Sequence, residues 1–396
     1  MKAIFLFAII SLAMARTSKY DEYFQNYLHA YETLIKDDIY VEHVVNTTSL
    51  SAMKVYIKLT IAGNTFHAVV QPHLDLFHPD LLVELHEADS RVESAVNVHE
   101  HLEGTLIDEP ESRVLLHLKD NIITGSITTV EGERYFVEPS HRHIKEPHDF
   151  HMISYNLADV KYNFTQEGKE NGHFCGHGSH KAEDVHDEEE FDFSIPKPLT
   201  EDQRKETVYS RRKRAANQLK KCPLALVADY SFYSEISGGD EANAMNFMIG
   251  IVQNIDPLYT SQSLSPSADP DFKDYGFQIK KIDIIKSKDM SDGDTSSYKY
   301  FSDTAPDVST LLKNFAYGEW SGYCLAHLFS NYDFDGGVLG LAYVAAASTS
   351  RVGGVCSRTY KDSTNRIKSL NVGLTTSQNY GRVLLSSELV FVTGGS

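Results

Sequence analysis

The sequence predicts an α/β protein in two parts, a β-rich N-terminal half followed by a mixed, mostly parallel sheet with packed helices. Three observations predict it. Apolar and polar residues alternate along much of residues 40–165, and strand-like and helix-like apolar spacings succeed one another after Cys222. Between those regions lies a polar tract, Lys181 to Asp192, dense in Asp and Glu. Such a tract cannot bury enough apolar surface to fold by itself and reads as a linker.

Taken in order, the chain opens with Lys2, an apolar run from Ala3 to Leu12, and the small-residue pattern Ala13-Met14-Ala15, the layout of a secretory signal peptide over residues 1–15. A membrane-spanning helix needs about 20 apolar residues, more than this run or any later one supplies. From Tyr20 to Ile35 the spacing predicts a helix, because Phe24, Leu28, Tyr31 and Ile35 recur three or four apart. The period then becomes two. Val55, Ile57, Leu59 and Ile61 mark one strand, and Arg113 to Leu118, Ile122 to Ile127 and Arg134 to Val137 mark others around a Glu131-Gly132 turn. Beyond Cys222, Leu224 to Asp229 reads as a buried strand. Met245, Met248, Ile249, Val252 and Ile255 mark a helix ending before Pro257. Phe277 to Ile285 predicts a strand, Val308 to Phe315 a helix, and Cys324 to Phe329 and Val338 to Val344 two more strands. That alternation implies mostly parallel strands joined by right-handed crossovers.

The net charge of −18 argues against nucleic acid as a partner, since phosphate recognition needs a basic stripe. The one dense basic cluster is Arg211-Arg212-Lys213-Arg214. Elsewhere such a run would be a solvated face, but here it follows the acidic linker and precedes a new domain, which suits a furin-type convertase. Cys175, Cys222, Cys324 and Cys356 make a sparse disulfide framework for a secreted chain. Asn46 and Asn163 begin glycosylation sequons. Cys175 stands among His173, His177 and His180 in a glycine-containing stretch. Three readings of it stay open: a small metal site, a disulfide partner, or a latency thiol that fills the open position of a catalytic zinc.

Phe174-Cys175-Gly176, the basic cluster and the run Cys222-Pro-Leu-Ala-Leu-Val-Ala-Asp229 resemble the ADAM proteases of the metzincin group. The stretches Tyr275 to Ile282, Cys324 to Phe329, Asp333 to Val344, Gly353 to Cys356 and Asn379 to Gly381 are similar to the branch holding the TNF-α-converting and Kuzbanian-type enzymes, the former nearer. Glu109 to Leu115 and Tyr135 to Pro139 agree. The resemblance implies a pro-domain over residues 16–180 with Cys175 as latency thiol, a linker over 181–214 ending in the convertase site, and the upper part of a metzincin domain over 215–396. It implies zinc as cofactor, peptide or membrane-protein ectodomain substrates, and passage through the secretory pathway, with a membrane anchor in a full-length form. It further implies a Cys222–Cys324 disulfide and, for Cys356, a partner further along than this sequence extends. Asp335 to Leu341 would be the edge strand to which substrate adds, through main-chain groups of Gly337, Leu339 and Gly340. His327 reads as a packed strand residue.

A metzincin grips zinc with His-Glu-x-x-His on a helix and a third His soon after, and no such motif occurs here. Of 18 histidines only His327 follows Arg214. The family pattern puts the zinc helix directly after the segment matching Ser386 to Thr393, where this sequence has Gly394-Gly395-Ser396. The expectation is a chain without catalytic residues of its own: the zymogen front of a sheddase or, alternatively, a non-catalytic secreted form that inhibits the full-length protease. A weaker alternative is a metal-binding protein using His173, Cys175, His177 and His180. Purified residues 215–396 should bind no zinc and cleave no peptide. Stoichiometric zinc, or turnover abolished by a chelator, would refute this.

Overall fold

The computed structural model describes residues 20–44, 54–161, 220–260, 275–289, 303–344, 353–362, 364–380 and 382–389. Its N-terminal half is a meander of short alternating strands. These are β1 (Glu32–Leu34), β2 (Tyr40–Val44), β3 (Lys54–Ile61), β4 (Asn64–Pro72), β5 (Phe77–His86), β6 (Arg91–Ser94), β7 (His101–Leu106), β8 (Arg113–Lys119), β9 (Ile122–Thr128), β10 (Arg134–Pro139) and β11 (Met152–Asn156). Nine of them pair antiparallel in the order β1-β11-β10-β9-β8-β7-β4-β3-β2. Val55, Ile57, Leu59 and Ile61 all turn inward, as the alternation predicts, to a core shared with Val114, Leu116, Ile127 and Val137.

The helix expected over Tyr20 to Ile35 is shorter. Helix α1 spans only Asp21–Gln25, after which the chain turns, bridges Leu28 to Val160 and enters β1. The apolar residues that suggested a longer helix pack all the same. Phe24 and Leu28 are buried beside Phe136, Phe150, Ile153 and Tyr155, with Tyr31 and Ile35 against them. The edge of the sheet claimed the backbone that a third helical turn would have used.

After β12 (Lys220–Ala228) the organisation changes to strands alternating with helices: α2 (Glu241–Thr260), β13 (Tyr275–Ile285), α3 (Val308–Phe315), β14 (Leu325–Ser330), β15 (Gly340–Ala342), β16 (Thr359–Lys361), β17 (Ile367–Ser369) and β18 (Val372–Thr376). β12 pairs parallel with both β13 and β14, β14 parallel with β18, and β15 closes that end antiparallel to β18. Both faces are covered. Leu224, Leu226 and Ala228 face α2, while Ala225 and Val227 face α3 and Trp320, which is why β12 reads as one continuous apolar run. Helix α3 begins at an Asp307 cap whose Oδ1 accepts from the Thr310 amide at 2.8 Å. Helix α2 runs past the expected stop, carrying Pro257 inside its last turn. The proline removes one i to i−4 bond, and burial of Asp256 and Pro257 keeps the turn in place. β18 had no counterpart in the sequence reading. It is short, and Gly373, Thr375 and Thr376 dilute its apolar signal.

The two halves interlock. β5 and β6 leave the N-terminal sheet between β4 and β7, which pair with each other, and β5 adds parallel to β13 as the sixth strand of a sheet ordered β15-β18-β14-β12-β13-β5-β6. Leu76, Phe77, Val83 and Leu85 thus belong to the same core as Met245, Met248, Ile279 and Ile282. Lys281 Nζ lies 2.8 Å from Glu84 and 2.9 Å from Asp283, and His86 Nε2 lies 3.2 Å from Asp283. Burial would raise the Asp283 carboxyl, but His86 and Lys281 outweigh it and bring its pKa below the usual value. Helix α2 lies between the sheets, where Gln253 Nε2 donates to the Leu102 carbonyl at 2.7 Å. Gly104 and Gly125 are required for close backbone approach, since a Cβ at either would collide with the Val69 or Leu115 carbonyl.

Leu85→Ala should cost about 2 to 5 kcal/mol. The reporter is Trp320, the single tryptophan, buried in the other half of the chain. Its fluorescence midpoint in urea should fall. An unmoved Trp320 transition would mean that β5 is no part of that core.

Candidate functional site

Among the described residues, β15 is the end strand of the C-terminal sheet and pairs with β18 alone. It is delivered by a turn at Asp335–Gly337 in which Gly336 and Gly337 both have φ of 72°. Glycine is required at Gly337 for a second reason, since a Cβ there would collide with the Tyr380 ring and hydroxyl. The Tyr380 amide in turn donates to Asp333 at 2.9 Å, fixing the loop before β15 to the segment after β18. Phe334 and Val338 anchor the loop in the core around α3 and Trp320, and Leu339 is buried beside them in sequence.

Hydrogen bonding decides which main-chain groups face outward. The Thr376 amide donates to the Leu339 carbonyl at 3.0 Å and the Tyr343 amide to the Val372 carbonyl at 3.3 Å, so residues 339, 341 and 343 point toward β18. By alternation, Gly340 and Ala342 present their amides and carbonyls to the open side. Of the three residues named from the sequence, Gly340 is on the open edge. Leu339 spends its carbonyl inside the sheet, and Gly337 sits in the turn.

Behind the sheet is a polar cluster that the sequence reading missed. Glu138 on β10 is fully buried. Its carboxylate accepts from the Tyr155 hydroxyl at 2.8 Å, the Ser386 hydroxyl at 2.8 Å and the Ser386 amide at 3.3 Å, and His143 Nε2 lies 3.2 Å away. Arg142 donates to the Ser386 hydroxyl at 3.1 Å and stacks its guanidinium over Phe247 of α2. Burial would raise the Glu138 carboxyl, but His143, Arg142 and Tyr155 outweigh it and hold it at about 2. A single acid in the apolar run Arg134-Tyr-Phe-Val-Glu-Pro139 is the signal that could have found it.

Cys222, Cys324 and Cys356 converge, each sulfur within 4.8 Å of the others. The expected partners Cys222 and Cys324 lie together, with Cys356 as a third sulfur beside them. All three are free, and Cys324 Sγ lies 2.7 Å from Cys356 Sγ. Cys356 reaches it because its own turn, at φ 60°, directs its amide to the Cys324 carbonyl at 2.7 Å. His327 is fully buried on β14 with its ring edge-on to Phe329 at 5.1 Å, and burial pushes its imidazole down to about 3. Asn46, Asn163, Cys175 with its neighbouring histidines, and Arg211, Arg212, Lys213 and Arg214 lie outside the described residues. Among the described residues, no helix is long and apolar enough to cross a membrane.

Residues 218–383 match the profile of metallo-peptidase family M12. Across 389 residues, 94% of this chain, the sequence is 28% identical to disintegrin and metalloproteinase domain-containing protein 10 of Xenopus laevis. The human protein of that name is 26% identical over 95% of the chain, and the protein 17 homolog of Caenorhabditis elegans is 27% identical over 69%. The chain is similar to ADAM metalloproteases over most of its length. It covers 48% of the frog and human relatives and 38% of the nematode one, so the chain spans about half their length or less.

The match to family M12 implies a metal, typically zinc. The described residues do not fit a catalytic zinc. The only histidine after Arg214 is His327, and it is packed inside the sheet. The two donor clusters among the described residues are the three cysteines and Glu84, His86 and Asp283, the latter already filled by the Lys281 ammonium. Neither set of residues lies on the β15 edge.

The Glu138 carboxyl titrates at about 2 in the fold against 4.5 when unperturbed. Its contribution is therefore complete above pH 4.5 and is lost as pH falls toward 2. Glu138→Gln should lower stability at pH 7 by roughly 3 kcal/mol and flatten the acid limb between pH 4.5 and 2. Parallel acid limbs for the two proteins in urea titrations would show that the carboxylate charge is not what holds Ser386.

Proposed function

We propose that this chain is the zymogen front of a zinc metalloendopeptidase of the membrane-sheddase type. The observation that carries the reading is the sheet after residue 220. Within the stretch that matches family M12, four parallel strands end in one antiparallel strand, β15, whose outer edge pairs with no other strand among the described residues. Such an edge receives an extended peptide as an additional strand, with main-chain bonds giving affinity and alternate side chains giving choice. Gly340 and Ala342 would supply those bonds, and the absence of a Cβ at Gly340 would let the substrate backbone come close.

In this reading residues 16–180 are the pro-domain, Cys175 is its latency thiol, and a furin-type convertase cuts after Arg214 within the linker of residues 181–214. Residues 215–396 are then an incomplete metalloprotease domain, and the metal donors of the active enzyme come from outside the described residues. Substrates are peptides or ectodomains of membrane proteins. The chain passes through the secretory pathway, and a full-length form would be held at the cell membrane.

One observation favours a second reading, a secreted form that inhibits the full-length protease. Because β5 docks on β13 through a ladder and an apolar core, the N-terminal half carries a surface able to bind a protease domain other than its own.

The test is to sequence the transcript past the codon for Thr393 and to express the longer product. Expected are a His-Glu-x-x-His motif and peptide cleavage that a chelator abolishes, that appears after convertase treatment, and that stays latent when Arg211 to Arg214 are replaced by alanine. A longer product carrying the motif that is equally active before and after convertase treatment would overturn the zymogen reading. For the second reading, the present chain added to active protease should lower turnover.

A further inference from the structure

The family resemblance pairs Cys222 with Cys324 and leaves Cys356 to another partner, yet the fold brings all three sulfurs together. Cys324 stands in the middle. Its amide donates to the carbonyl of Pro223, the residue after Cys222, at 2.8 Å, and its carbonyl accepts from the Cys356 amide at 2.7 Å. Its backbone is therefore tied to both neighbours at once, and its sulfur lies within reach of either. The three differ in exposure. Cys222 is buried, Cys324 is half-buried and Cys356 is exposed.

We propose that Cys324 is the shared sulfur of two alternative disulfides, Cys222–Cys324 and Cys324–Cys356, which interconvert by intramolecular thiol exchange. A small-molecule disulfide such as oxidised glutathione first removes two electrons from Cys324 and one neighbour, yielding two glutathione thiols and one protein disulfide. The remaining thiolate then attacks Cys324, a new sulfur–sulfur bond forms, the old one breaks, and the displaced sulfur leaves as thiolate and takes up a proton. No further oxidant is consumed. Hydrogen bonds from the other two sulfurs push the Cys356 thiol well down, whereas those bonds and burial push Cys222 up. Those shifts belong to the three-thiol state; once Cys222 and Cys324 are joined neither has a proton to donate, and it is exposure that makes Cys356 the accessible nucleophile and Cys222 the buried sulfur released.

The consequence is positional. One disulfide ties the start of β12 to the start of β14, beneath the sheet centre. The other ties β14 to the turn at Cys356 and frees β12. The exchange therefore decides whether the first strand after the linker is covalently held.

The experiment uses the whole chain carrying Cys175→Ser, so that these three sulfurs alone compete. It is equilibrated in mixed reduced and oxidised glutathione, quenched in acid, alkylated, digested and mapped by mass spectrometry. Both linked peptides should come from one sample, with one alkylated thiol per chain divided between Cys222 and Cys356. Cys356→Ser should leave only Cys222–Cys324, and Cys222→Ser only Cys324–Cys356. A single linkage in the parent chain overturns the proposal, as does a Cys222→Ser chain that folds, by Trp320 fluorescence, without forming the other bond. Stoichiometric zinc retained by the reduced chain and released on alkylation also overturns it, since the cluster would then be a thiolate metal site.

Discussion

β5 gives its backbone hydrogen bonds to a sheet that the chain does not begin to build until more than a hundred residues later, and most of the architecture follows from that exchange. With β5 in place, β13 is an interior strand, buried on both faces and paired on both sides. Without it, Phe277, Ile279, Ile282 and Ile284 would lie along an open edge, the kind of surface that draws in other chains. The charged side chains at this seam are matched in advance. Lys281 contacts both Glu84 and Asp283, and Asp283 also meets His86, so each carboxylate at the seam has a cation or an imidazole beside it. The N-terminal half is therefore a structural part of the C-terminal sheet.

The Glu138 cluster makes a second join of the same sort at the far end of the chain. A buried carboxylate on β10 binds Ser386, while Arg142 reaches both that serine and α2. The two joins bracket the C-terminal sheet, one along β13 and one at the segment after β18. The β15 edge lies at the opposite side of the sheet from β5. Among the described residues, a strand paired on one side only at one margin and a strand supplied from elsewhere at the other give the sheet a direction.

Much of this was legible in the sequence where a local rule applies. Period two gave β3, β8, β9 and β10 nearly residue for residue, and the unbroken apolar run at Leu224 to Ala228 announced a strand covered on both faces. Helix α3 matches its expected bounds because Asp307 caps it and its apolar face is regular. What failed was non-local. Tyr20 to Ile35 has helical spacing, but sheet pairing took its second half. The run Leu81 to Leu85 looks like any strand, and nothing within it says that its partner lies beyond the linker. The residues Gly337, Leu339 and Gly340 were named by resemblance, whereas the side to which each one points depends on register, which only the pairing with β18 supplies. Glu138 showed only as a lone acid in an apolar run, because beside the nearby Arg142 and His143 its partners come from Tyr155 on β11 and from Ser386.

The docking of β5 on β13 also sets a timetable. During synthesis β5 leaves the ribosome on the order of 200 residues before β13, a wait of about 10 to 40 seconds at ordinary elongation rates. Throughout that interval a hydrophobic strand is fully made and has nowhere to go. Its composition is suited to waiting: Pro79 and Asp80 interrupt its first half, Glu84 charges its second, and β6 folds back on one side as an antiparallel cover. The same carboxylate that later meets Lys281 thus first serves, while the chain is growing, to keep the strand from finding the wrong neighbour.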